Sequence, residues 1–453
     1  MTNSVVMDQM GEQKTDRLKN IAADIVLEAK KQGADQVETS VSVGQGLSVN
    51  VRLGEVETVE HHRDQGVGVT VYKGKKKGFA SSTKLDSSAI KEMVSAAYVI
   101  AQYAEEDPFA GLPEKDSLAT IFPDLSLHHP WSVSAEQAIK MAVICENAAR
   151  CYDKKITNSE GASVQTFEGT HVFANSLGFN HGYSSSRHSL SCSVIGSSDD
   201  SDSMQRDYWY TTARKASDME AAEKVGEVAA DRTIKRLGAK SISTRKCPVM
   251  FAAEVSSGLI GHFICAIRGG NLYRKSSFLV DSLGQQIFPS FLNIYEQPLL
   301  PQAMGSAAYD SEGVATKQRH IVESGVVQGY VLDSYSARKL GMKSTANASG
   351  VHNLTVAPGG LDFNQMLKQM DTGFLVTELI GQGVNTLTGD YSRGAAGYWV
   401  EGGVIQFAVE EVTIAGNLKD IYQFIVAVGN DVDLRGNTRT GSILIEEMTL
   451  AGS

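Results

Sequence analysis

This sequence has little of what most functional motifs require. It holds five cysteines (Cys145, Cys151, Cys192, Cys247 and Cys265), an odd number with no Cys-x-x-Cys pair. That spacing matches no disulfide scaffold, and reduced thiols inside the cell are the simple reading. No stretch approaches the ~18–20 consecutive apolar residues that a spanning helix requires. Residues 1–16 contain no apolar core long enough for a secretory leader. Basic residues are in the minority, 42 Lys and Arg against 52 Asp and Glu for a net charge of −10. A nucleic-acid partner, whose phosphates call for a basic stripe, is therefore not expected. The one basic run, Lys73 to Lys77 around Gly74, reads as a solvated hairpin tip. A soluble, cytoplasmic protein without membrane or nucleic-acid partners is the expectation.

What is present can build substantial cores. Hydrophobic residues make up 42% of the 453 positions and charged residues 21%, enough for two or three domains. The first helix is expected to start near Thr15 or Asp16, with Leu18, Ile21, Ala22, Ile25 and Ala29 as its apolar stripe and Gly33 as its end. Residues 37–43 and 47–53 alternate with period two, and Gly44-Gln45-Gly46 between them reads as a turn. Further strands are expected over 56–59 and 67–72, then a helix capped by Asp86. The order is helix, four or five antiparallel strands, helix, an α+β module over 15–106. A linker spans 107–133. A central α/β segment over 134–240 opens with a Ser134-capped helix. An exposed Ser/Asp loop at 197–203 and a helix opened by Ser217 are expected within it. From Cys247 to the end, short apolar runs separated by glycine turns predict a β-rich domain over 247–453, with a helix at 361–370.

Motifs weighed from the residues give no site. His-Glu-x-x-His is absent, and none of the ten histidines has another three to five residues away. His262 and Cys265 share one face of a helix expected over 254–266. The apolar residues around them favour a buried helix over a metal clamp. Gly-x-Ser-x-Gly is missing, and Ser392 lacks a His or Asp placed to activate it. Ser336 and Lys339 stand at Ser-x-x-Lys spacing without companion motifs. Asp310-Ser311-Glu312-Gly313 offers too few oxygens for calcium and reads as an acidic turn.

Longer phrases do carry information. They are Asp310 to Val314, Ser334-Tyr335-Ser336-Ala337-Arg338-Lys339-Leu340-Gly341, residues 388–397 (TGDYSRGAAG) and Ile414-Ala415-Gly416-Asn417-Leu418. With residues 156–161 and 186–190 upstream, they make nearly the whole chain resemble the TldD/PmbA peptidase family, on its PmbA (TldE) side. In TldD-type members the resemblance implies a zinc site of His-Glu-x-x-x-His on a helix plus a C-terminal cysteine, with the glutamate as general base. Five-residue spacing puts two histidines about 140° apart on a helix, so a third ligand must come from elsewhere. Carried onto this chain, these positions fall at Ser257, Gly258, His262 and Thr440. Two hydroxyls and a bare backbone replace three of the four groups, so the resemblance implies no catalytic residue and no metal here. Zinc is expected in a TldD-type partner, with which the chain would form a peptidase for unfolded peptides. Turnover of the antitoxin CcdA and removal of microcin leaders are implied as roles, and a homodimer is the expectation for the chain alone. Two readings stay beside this one, a metallopeptidase in its own right and a non-proteolytic binding modulator.

Overall fold

The computed structural model describes residues 2–198 and 201–452. Helix α1 (Thr2–Lys31) presses Leu18, Ala22, Ile25 and Ala29 onto a sheet and stops at Gly33, whose φ of 98° suits only glycine. It begins well before the expected Thr15, because no proline interrupts residues 2–14. Strands β1 (Gln36–Arg52), β2 (Glu55–Lys73) and β3 (Lys76–Ser82) follow, then α2 (Ser87–Tyr103), whose cap Asp86 accepts from Ala89 N–H.

The expected turn at 44–46 is not one, so three long strands replace four or five. Gly44 and Gly46 are mid-strand, paired across to Asp64 and His62 on β2. A Cβ at 44 would stand 2.7 Å from the Phe167 ring, and one at 46 would stand 2.6 Å from Thr166 O. These glycines serve close packing of a neighbouring strand rather than chain reversal.

Helix α3 (Ala135–Arg150) carries the Ser134–Gln137 capping box. After it come β4 (Ile156–Asn175), β5 (Asn180–Ser198), β6 (Ser201–Ala213) and α4 (Ala222–Arg236). The expected 197–203 loop shrinks to a hairpin tip, since Ser198 pairs with Ser201; residues 199–200 lie outside the described ones. Ser217 sits in a single 3-10 turn rather than opening α4. There Glu220 is tied back to β6 through Thr211 Oγ1 and Trp209 Nε1. The six strands order as β3-β2-β1-β4-β5-β6, all antiparallel, so segments 15–106 and 134–240 share one sheet through β1 and β4. Helices α1 to α4 bury one face of it.

The rest of the chain opens with β7 (Arg245–Phe251), α5 (Ala253–Ala266), α6 (Gly269–Tyr273), β8 (Ile294–Glu296), β9 (Arg319–Glu323) and β10 (Val326–Val327). Next are α7 (Ser334–Lys339), β11 (Leu354–Val356), α8 (Phe363–Met370), β12 (Gly373–Ile380) and β13 (Asp390–Glu401). Last are β14 (Val404–Asn417), α9 (Leu418–Gln423), β15 (Ile425–Val428), β16 (Thr438–Arg439) and β17 (Ile443–Ala451). Strands β14-β13-β12-β7-β17-β15 form one sheet, which closes on itself where β14 also pairs with β17. Strands β10-β9-β8-β11-β16 form another. Helix α5 lies in the core with Leu259, Ile260 and Phe263 buried. The architecture is α+β with a β-rich C-terminal region. This region holds the sheet module through Arg338, which donates to Phe109 O and Gly111 O, and Tyr335, which donates to Asp107 at 2.6 Å. No helix among the described residues is long and apolar enough to cross a membrane.

Candidate functional site

The two sides of helix α5 differ in chemistry. One carries Leu259, Ile260, Phe263 and Ile267 into the core. On the other, a Cβ at Gly258 or Gly261 would meet no atom within 4 Å. Ser257 and Gly258 wall a cleft of about 330 Å³ between α5, β6, α4, β12 and β13. The first turn is pinned by Ser256, whose hydroxyl donates to Ala253 O and Gly441 O, both at 2.9 Å. That bond brings the Thr440 segment against α5. Thr440 itself is fully buried, with its hydroxyl donating to Gly441 O at 3.1 Å. His262 lies on the same helix, about 6 Å further along the axis than Gly258.

Arginines dominate the electrostatics. Arg232 donates to Glu254 at 2.8 Å and to Asp207 at 3.3 Å, while Arg236 reaches Asp207 at 3.5 Å and Glu378 at 2.5 Å. Arg435 pairs with Asp433 at 2.8 Å and sits over Trp209 and Tyr210, at 4.2 and 4.4 Å from their ring centres. Arg393 borders the cleft with its Nε buried and without a hydrogen-bond partner. Its charge also reaches His262, whose pKa falls below its ordinary value through burial first and the guanidinium second. The imidazole Nε2 is buried without a partner, and the ring meets Tyr391 edge-on at 5.9 Å.

The zinc that the resemblance implies for the family does not fit these residues. Of the four positions only His262 has a strong zinc-ligand side chain, and the charge of Arg393 lowers its pKa further after burial. Among the described residues no group of three or more His, Cys, Asp or Glu converges. Cys265 does not complete a set with His262, since its sulfur faces the amide of Asn271 at 3.6 Å. The other motif candidates have structural roles. Ser336 donates to Asp333 at 2.5 Å in the cap of α7, and Lys339 lies 4.4 Å from the Phe109 ring centre. Ser392 is exposed on β13. Asp310 accepts from the N–H groups of Glu312 and Val314, and Glu312 accepts from Ser334, so that loop is a turn lock.

Sequence reading missed the arginine–aromatic wall. Arg232, Arg393 and Trp209 come from three elements and Arg435 from the loop before β16, with no shared spacing, and no motif joins them. Gly258, by contrast, has a simple test. Because its missing side chain would meet open space, Gly258→Ala should gain helix propensity without strain, stabilising the chain by about 0.5–1 kcal/mol. The urea midpoint should rise; a fall would mean the glycine is needed for packing.

Comparison with known proteins adds the family. Three models match in order: PmbA/TldA metallopeptidase domain 1 over residues 37–101, the central domain over 128–237 and the C-terminal domain over 244–452. The metalloprotease PmbA of Escherichia coli O157:H7 is 51% identical over 431 residues, covering 95% of each chain. A metalloprotease PmbA homolog of Haemophilus influenzae is 45% identical over 100% of this chain and 99% of its own. A crystal structure of a proposed DNA gyrase modulator from Bacteroides thetaiotaomicron superposes with a TM-score of 0.92 at 26% identity, covering 97% of this chain and 99% of that one. With matched models spanning most of its length and close relatives end to end, this chain belongs to the PmbA/TldD metallopeptidase family.

Proposed function

We propose that this chain is the non-catalytic subunit of a two-chain zinc peptidase, pairing in the cytoplasm with a TldD-type chain that supplies the zinc, the bound water and the base. One observation supports it above the others. The α5 face that borders the cleft bears Ser257 and bare Gly258, while the one imidazole, His262, has no cluster of further ligands around it among the described residues. A lone imidazole, without further ligands or a base beside it, neither holds a catalytic zinc nor activates its water. The cleft keeps its stacked Arg435–Trp209–Tyr210 wall, which suits binding of a peptide rather than its hydrolysis. Unfolded peptides are the substrate class, and CcdA turnover and microcin leader removal are the roles that follow from the resemblance.

The test combines metal analysis with a peptidase assay on an unfolded peptide, for the purified chain alone and with a TldD-type partner. The chain alone should carry far less than one zinc and cleave nothing, and the pair should cleave. Stoichiometric zinc in the isolated chain, together with cleavage abolished by His262→Ala, would show a metallopeptidase in its own right. Tight peptide binding without cleavage even in the pair would favour the binding modulator.

A further inference from the structure

A larger cavity, about 770 Å³, lies where segment 122–130, β5, the turn at 215–217 and the loop at 307–309 meet. Its wall is aromatic. The Phe122 ring stacks on the His181 imidazole with centroids 3.6 Å apart and planes within 6°. Tyr309 stands edge-on to both, at 5.9 and 5.7 Å, and Tyr183 stands edge-on to Tyr309 at 6.0 Å. The Tyr309 hydroxyl is occupied, donating to His181 O at 3.2 Å. The wall carries no charge near neutral pH, because burial pushes the His181 pKa down to about 4.

Positive charge lies beside this wall without a direct ion pair. Lys215 lines the cavity, is exposed, and has no carboxylate within ion-pair distance among the described residues. Its neighbour Arg214 is part-buried and gives its N–H groups to three carbonyls, Ala303 O, Ser186 O and Met304 O, rather than to a carboxylate. The acid on the cavity rim, Asp124, is exposed, accepts from Ser126 N–H at 2.8 Å and makes no ion pair with Lys215. An aromatic-walled slot with one unpaired ammonium at its edge matches a ligand that is apolar at one end and singly anionic at the other.

We infer that this cavity binds the C-terminal residue of an extended peptide, with an apolar or aromatic side chain against Phe122 and Tyr309 and the terminal carboxylate on Lys215. A cationic ligand, which aromatic rings alone would also attract, is opposed by Lys215 and Arg214. A metal finds no site, although three histidines line the space. His128 Nε2 faces Glu168 at 3.3 Å, His129 Nε2 faces Ser126 at 3.0 Å, and the His181 Nδ1 is buried. The choice of a peptide as ligand rests on the function proposed above; the slot and its charge do not. Position supports the link. Lys215 follows Tyr210 of the α5 cleft by five residues, so the Cα atoms of these two lining residues are no more than about 18 Å apart, a span that an extended peptide can cover.

The experiment measures binding of the full-length chain to one unfolded peptide sequence ending in Phe, Leu or Gly, each as free acid and as C-terminal amide. The free acids ending in Phe and Leu should bind at least tenfold tighter than their amides. Lys215→Met, at an exposed position, should remove that difference while leaving amide binding unchanged. Phe122→Ala, with its fold verified by circular dichroism, should weaken the Phe and Leu peptides and spare the Gly peptide. Equal binding of acid and amide, or an acid preference that survives Lys215→Met, would overturn the assignment. N-acetylphenylalanine binding as tightly as the peptide would also overturn it, by assigning the cavity to small carboxylates. The two proposals fail separately. Carboxylate-dependent binding with no cleavage by the pair would sink the peptidase reading alone, and cleavage without acid preference would sink this one alone.

Discussion

Glu296→Ala is expected to destabilise the protein by about 3–5 kcal/mol, because it strands a buried cation and two buried donors at once. The Glu296 side chain is 2% exposed on β8 and accepts from Arg319 at 2.7 Å, from the Asn347 amide at 2.7 Å and from His352 N–H at 2.8 Å. Arg319 also donates to Tyr330 O and Asn347 Oδ1, so the guanidinium is held in place and cannot swing to solvent when its carboxylate is gone. Glu296→Gln keeps an acceptor and loses only the charge, so it should cost less than the alanine. Denaturant unfolding of the three proteins checks the order. An alanine variant within 1 kcal/mol of the parent would mean that the cluster relaxes or hydrates.

Glu312→Gln should act in the opposite direction, and only at higher pH. Burial pushes the Glu312 carboxyl up to about 7, with Asp310 and Asp333 adding to the rise and the hydrogen bonds from Ser334 opposing it. In the unfolded chain the same group titrates near 4.5. The folded state therefore holds its proton longer, and stability falls as the pH climbs from about 4.5 to about 7 and is flat beyond. Above that window the fold carries a buried charge at a cost of about 3 kcal/mol. Glutamine can still accept from Ser334 N–H and Oγ, now 3.0 and 2.6 Å away, without that charge. The variant should thus be more stable than the parent by up to about 3 kcal/mol at pH 8 and equal to it near pH 4.5. A stability difference independent of pH would contradict this account.

Much of the fold was legible because it depends on local periodicity. The stripe of α1, the caps at Asp86 and Ser134 and the C-terminal apolar runs are short-range signals, and the elements form where those signals lie. The misread turn at 44–46 shows the limit. Glycine is the same letter whether it reverses a chain or lets Phe167 lie across it, and the second use depends on a strand more than a hundred residues away. The start of α1 shows another, since no stop signal marks where helix-compatible polar residues cease to be helical.

The amino-acid order by itself determined which side chains are available: Ser257, Gly258 and Thr440 offer two hydroxyls and a bare backbone at the positions where the resemblance would place ligands and a base, and no folding changes those identities. Only the tertiary structure decided what stands there instead. Tyr391 meets His262 edge-on, Arg435 lies over Trp209 and Tyr210, and Lys215 borders the slot of Phe122 and Tyr309, because strands distant in sequence meet across sheets. Covalent identity is a property of single positions, whereas charge environment and cavity shape are properties of neighbours, and neighbours are set by the packing of the whole chain.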